Sequence, residues 1–118
     1  MIDEESLLIA SKNMGASIGN ELSDYILKYG YLAYKHSELY GINSIQFLDS
    51  DMVKQTIYLH TYYPETKLFI ALENQGEGDY YLVDEYDFIY EFDTELLILT
   101  PTNTKLYEYI LQRFKSIQ

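Results

Sequence analysis

At Lys67 the apolar residues of this 118-residue chain change period, and that change decides its architecture. Before it, NELSDYILKYG places Leu22, Tyr25, Ile26 and Tyr29 at i, i+3, i+4 and i+7, one face of a helix. After it, KLFIALE, YYLVDE and FIYEFD alternate with a period of two, as strands do. Beyond Pro101 the helical period returns in Leu106, Tyr109, Ile110, Phe114 and Ile117. Helices first, an antiparallel meander next and a closing helix predict a single α+β domain over 1–118, and the order does not fit alternating βαβ units.

The element boundaries follow from local signals. Glu4 to Lys12 is a short helix with acids in its first turn, where the helix dipole favours them. Asn20 is the expected N-cap of the next helix, and Gly30 sits where a helix-ending glycine belongs. Residues 31–43 read as a short extended piece and a turn around Gly41. Asp49 or Ser50 then caps a helix over roughly 51–63 that ends at Pro64, although VKQTIYLHTYY has the β-branched and aromatic content of a strand as well. KLFIALE reads as a central strand with both faces covered. NQGEGD is a tight turn, with Gly76 and Gly78 as its formers. In FIYEFD, Phe88, Tyr90 and Phe92 point toward the core while Glu91 and Asp93 face water. LLILT (96–100) is a fourth strand, and Pro101 and Thr102 open the last helix. In it Lys105, Glu108, Gln112 and Lys115 face water, and Arg113 and Lys115 complement the dipole at its end.

Charge narrows the function. Eight basic and nineteen acidic residues give a net charge of −11, which repels phosphate backbones and anionic lipid and suits a basic partner or simple solubility. No basic residue lies between Lys67 and Lys105, an interval holding nine acids: Glu73, Glu77, Asp79, Asp84, Glu85, Asp87, Glu91, Asp93 and Glu95. The acidic N-terminus has an apolar run of only four residues, LLIA, unlike a signal peptide, and no stretch reaches the length of a membrane span. The expected location is the cytoplasm. The chain has no cysteine, so a disulfide framework, thiolate metal site and cysteine nucleophile are excluded together. Fourteen tyrosines and no tryptophan suit half-buried sheet faces and protein interfaces alike.

Catalytic signals are sparse. His36 and His60 fit no metal motif, no Gly-x-Ser-x-Gly elbow occurs, and the acids around Gly76-Glu77-Gly78 oppose phosphate binding. Glu77 and Asp79 could form an acid/base pair. ENQGEGD (73–79) offers oxygens for calcium but lacks the EF-hand pattern. Neither outweighs a binding role, so no catalytic residue, cofactor or metal is expected.

FIALENQGEGDYYLVDEYDFIYEFDTE (69–95) resembles the core of the SUKH superfamily, the Smi/Knr-like domains. An apolar strand (Phe69 to Leu72) meets Gly78-Asp79, then Tyr80 to Asp84, then an aromatic strand from Phe88 to Glu95. DYILKYGYL (24–32), ELYGI (38–42) and LYEYILQRF (106–114) extend the resemblance over about 20–118. A proline that many members carry before the helix near Asn20 is absent, and the N-terminal segment is shorter than in many of them. Bacterial members are mostly immunity proteins, which bind and block a toxin domain encoded beside them; many of those toxins are nucleases. The resemblance thus implies a non-catalytic protein whose partner is a cognate toxin with a basic surface. A regulatory or scaffold domain of the same fold is the alternative, and a small carboxylate-dependent enzyme a weaker one. The acidic hairpin supplies the candidate partner-binding residues: Glu77, Asp79, Tyr81, Asp84, Glu85, Tyr86, Asp87 and Glu91. An exposed strand edge leaves a homodimer open.

Overall fold

The computed structural model describes residues 3–29, 32–34, 37–39 and 51–117. The element order is α1 (Glu4–Met14), α2 (Asn20–Tyr29), β1 (Leu32–Tyr34), β2 (Ser37–Leu39), α3 (Asp51–Tyr62), a 3-10 turn (Pro64–Thr66), β3 (Ile70–Gly76), β4 (Asp79–Val83), β5 (Phe88–Asp93), β6 (Ile98–Lys105) and α4 (Leu106–Ile117). β1 and β2 form a small two-stranded antiparallel sheet, and β3 to β6 form one antiparallel sheet in sequence order. The fold is α+β, with N- and C-terminal helices flanking the sheet.

Each early element has a local cause. The Asp3 carboxylate accepts the Ser6 N–H at 2.9 Å and starts α1; Gly15, at φ 69°, ends it. α3 is helical despite its strand-like composition. Met52, Val53, Thr56 and Leu59 are fully buried at helical spacing, so burial along one stripe outweighs weak β propensity. The expected caps Asp49 and Ser50, and the turns at Gly30 and Gly41, lie outside the described residues, as does His36.

The sheet has two apolar faces. Ile70, Leu72, Val83 and Ile89 pack beneath Leu7 and Ala10 of α1, Leu22, Tyr25 and Ile26 of α2, and Leu106 and Tyr109 of α4. Ala71, Tyr80, Leu82 and Phe92 form a second cluster with Leu59 of α3. Hence FIYEFD does not have one wet face. Ile89 lies on the same side as Glu91 and is fully buried, while Phe88 is partly exposed. The helices cover one end of that face and leave the other end to the acids.

Two strand assignments differ from those expected. β3 is an edge strand, not a central one, and it looks central because α3 lies along its outer edge. There the Ala71 N–H donates to the Thr56 hydroxyl at 2.9 Å, and His60 Nε2 meets the Phe69 carbonyl at 2.7 Å. The last helix begins at Leu106, not at Pro101. Pro101 sits within β6, opposite Tyr90, and β6 tolerates it because an edge strand needs no N–H on its outer side.

Candidate partner-binding surface

The strand reversals split the predicted acidic face in two. β4 runs five residues, about 16 Å at 3.3 Å per residue. Glu77 and Asp79 lie at one end of the sheet, with Tyr81 and Glu91 paired midway along β4 and β5. Asp84, Glu85, Tyr86 and Asp87 form the β4–β5 turn at the other end. Sequence proximity had joined them into one patch.

At the first end, two turns stand side by side. Gly76 pairs with Asp79, leaving Glu77 and Gly78 as a two-residue hairpin loop. Both have positive φ, 52° and 89°, the signature of a type I′ turn. The neighbouring β5–β6 turn is held to it through Thr94, whose N–H and hydroxyl both donate to the Gly78 carbonyl, at 3.0 and 2.7 Å. A side chain at position 78 would collide with that hydroxyl. Asp79 faces Asp93 across the ladder, and Tyr81 faces Glu91. Glu77 and Glu91 are exposed; Asp79 and Tyr81 are half-buried.

The second end is largely committed to the fold. Asp87 is 3% exposed. Its carboxylate accepts the N–H groups of Glu21 and Leu22, both at 3.0 Å, so it caps α2 from 66 residues away. The expected cap, Asn20, is instead the first residue of that helix. Asp87 is therefore removed from the candidate contact set: a carboxylate enclosed by a helix N-terminus has no face to offer a partner. Asp84 is half-buried, and one of its oxygens accepts the N–H groups of Tyr86 and Phe88, shaping the turn. Only Glu85 and Tyr86 project freely here, Tyr86 at 66% exposure.

Glu73 also leaves the acidic surface. It is 3% exposed, accepts the Tyr109 hydroxyl at 2.6 Å and pairs with the Arg113 guanidinium. Arg113 therefore ties α4 to β3; it is not merely a complement to the helix dipole. Of nine acids in the base-free interval, Glu73 and Asp87 are thus structural. Tyr81 packs against Tyr109 with ring centroids 5.1 Å apart and the rings tilted by 57°.

Burial, then the hydrogen bond to Glu73, pushes the Tyr109 phenol far above its ordinary 10.0. Burial also raises Tyr81, aided by Glu91, and Tyr80. The fold holds these phenols neutral. Their contribution is complete below the unfolded-state value near 10 and falls as pH rises beyond it. The urea midpoint should be flat from pH 7 to about 9 and drop above about 10, and Tyr109→Phe should flatten that drop.

A second exposed apolar region was not anticipated. Tyr58, Tyr62 and Tyr63 of the α3 end form an aromatic run in which Tyr58 and Tyr62 lie 5.0 Å apart, and Tyr63 meets Phe92 edge-on at 5.5 Å. Phe69 and Tyr90 pair at 4.9 Å on the same side of the sheet. These residues look like core in the sequence, because their helical or alternating spacing carries no signal of a missing covering layer. The expected fourth strand forms but starts at Ile98, so Leu96 and Leu97 belong to the β5–β6 turn, and these three side chains are 67, 49 and 51% exposed in the order Leu96, Leu97, Ile98.

Among the described residues no group of His, Cys, Asp and Glu is placed to hold a metal ion, and no helix is long and apolar enough to cross a membrane. Two open grooves, of about 630 and 620 Å³, run beside α2, and neither is lined by Glu77 or Asp79.

These features define the chain as an α+β domain whose sheet carries an acidic, apolar-tipped end beyond the cover of its helices. The chain matches the SUKH_5 family, described as SMI1-KNR4 cell-wall, over residues 1–116. It belongs to the SUKH superfamily. No curated protein matches it.

Proposed function

We propose that this protein is an immunity protein of the cytoplasm: it binds a cognate toxin domain encoded nearby and neutralises it without chemistry of its own. The observation that carries the reading is the acidic end of the sheet, where Glu77 and Asp79 stand beside Asp93, with Glu91 further in on the same face as Asp79. It is joined by membership of the SUKH superfamily, whose bacterial members, as the resemblance implies, are mostly immunity proteins. A toxin acting on nucleic acid needs a basic surface to hold its substrate, and a rigid acidic end can cover that surface. Charge accelerates encounter, and neighbouring apolar side chains supply burial.

The test is co-expression with the product of the adjacent gene. A stable 1:1 complex that restores growth is the expected result. Charge reversal belongs at Glu77 and Glu91, which are exposed; Glu77→Lys with Glu91→Lys should weaken the complex by about 10-fold or more and leave the thermal midpoint nearly unchanged. Absence of both toxicity and complex would reject the reading. It would favour a regulatory or scaffold role of the same fold.

A further inference from the structure

The β5–β6 turn combines three properties that a merely connecting turn does not need. It is apolar and exposed: Leu96 is 67%, Leu97 49% and Ile98 51% accessible. It is rigid: one Asp93 carboxylate oxygen accepts the N–H groups of Glu95 and Leu96, at 2.8 and 3.0 Å, and the Leu97 N–H closes onto the Asp93 carbonyl at 2.8 Å. It is strained: Leu97 has φ 58°, a left-handed conformation that a leucine adopts at a cost of about 1 kcal/mol or more and a glycine would adopt freely. Strain and exposed leucine both oppose stability and solubility, and neither serves the sheet, whose pairing a glycine here would preserve.

The surroundings name the occupant. Asp93 pairs with Ile98 on one side and Asp79 on the other. Glu77 lies across the Thr94–Gly78 bridge, and Glu95 belongs to the turn itself. No basic residue occurs from 68 to 104 to offset them. A second copy of this chain is disfavoured, because an isologous contact would set these carboxylates against their own images. Pro101 and the irregular register of β6 further oppose edge-to-edge pairing. An anionic lipid surface is repelled by the same charges.

We infer that Leu96, Leu97 and Ile98 form the anchor by which this protein docks, inserting into an apolar recess on its partner that is rimmed by lysine or arginine. The turn is then a preorganised plug: the leucines fill the recess and the acids meet the rim. The inference rests on the immunity reading and specifies its contact.

The experiment measures binding to the product of the adjacent gene by the purified full chain. Four versions are compared: wild type, Leu96→Ser with Leu97→Gly, Leu97→Gly alone, and Glu95→Gln. Leu97→Gly relieves the left-handed strain, so it should raise the thermal midpoint by a few degrees while lowering affinity. The double variant should keep its circular dichroism spectrum and lose about 30-fold or more in affinity, mostly through the off-rate. Glu95→Gln should instead slow association and flatten its salt dependence. Tight wild-type binding that the double variant retains would overturn the anchor and leave the immunity reading standing. No binding by the wild type would overturn both. Self-association of the wild type that the double variant abolishes would overturn the proposed occupant in favour of a second copy.

Discussion

Asp87→Ala is expected to lower the unfolding free energy by about 3 kcal/mol, a large part of what a domain this size possesses. Asp87 is enclosed, and alanine would strand the N–H groups of Glu21 and Leu22 that its two oxygens now accept. Ordinary helix caps are worth about 1 kcal/mol, and a charged acceptor serving two donors, one of them buried, is worth more. The loss also loosens the place where the Asp87 carbonyl accepts the Leu106 N–H at 2.9 Å, the junction of β6 and α4. Asp87→Asn keeps one acceptor and should cost roughly half as much. Gly19→Ala should imitate the alanine variant from the opposite side, because a methyl group there would lie 2.4 Å from the Asp87 carboxylate. Urea denaturation of the three variants measures the order. Equal stability of wild type and Asp87→Ala would mean that the cap contributes nothing.

Glu73→Ala is expected to cost a similar amount, about 3 kcal/mol, for a different reason. Glu73 receives the Tyr109 hydroxyl and the Arg113 guanidinium, and both belong to α4. Removing one member of a buried ionic group leaves its partners desolvated without compensation. Arg113 is partly accessible, its side chain 28% exposed, so water tempers the loss. Glu73→Gln retains an acceptor for Tyr109 and should lose less. Combining Glu73→Ala with Tyr109→Phe should cost less than the sum of the single changes by about 1 kcal/mol, since both delete the same hydrogen bond. Strict additivity would show that Tyr109 and Glu73 act independently.

These two carboxylates show where the sequence stops being legible. Both belong to an interval that reads as uniformly solvated acid, and their partners lie 36 to 66 residues away. No local pattern distinguishes Glu73, buried and paired with Arg113, from Glu91, which is exposed. The fold class could be read, because the periods of Leu22, Tyr25 and Ile26 and of Tyr80 to Val83 are local consequences of burial on one helix face or on a pleated strand. The end of β6 could not. A proline before a run of helix formers normally opens a helix, and only the edge position of β6 lets Pro101 remain a strand residue. The candidate surface was legible as composition but not as geometry. The turn at 84–87 turns the chain back, leaving Glu85 and Tyr86 at the opposite end of the sheet from Glu77 and Asp79.

The capping pattern also sets an order on synthesis. Glu21, whose own N–H is held by Asp87, accepts the Tyr107 N–H at 2.8 Å, so α2 and α4 each have a terminus secured through that region. While the chain emerges from the ribosome, α2 can be secured only after the residue 66 positions later has been added. At roughly 5–20 residues per second that is a wait of about 3–13 s. The amino-terminal half therefore stays unfinished until the carboxy-terminal half has been made, and a chain truncated before Asp87 has no means of completing it.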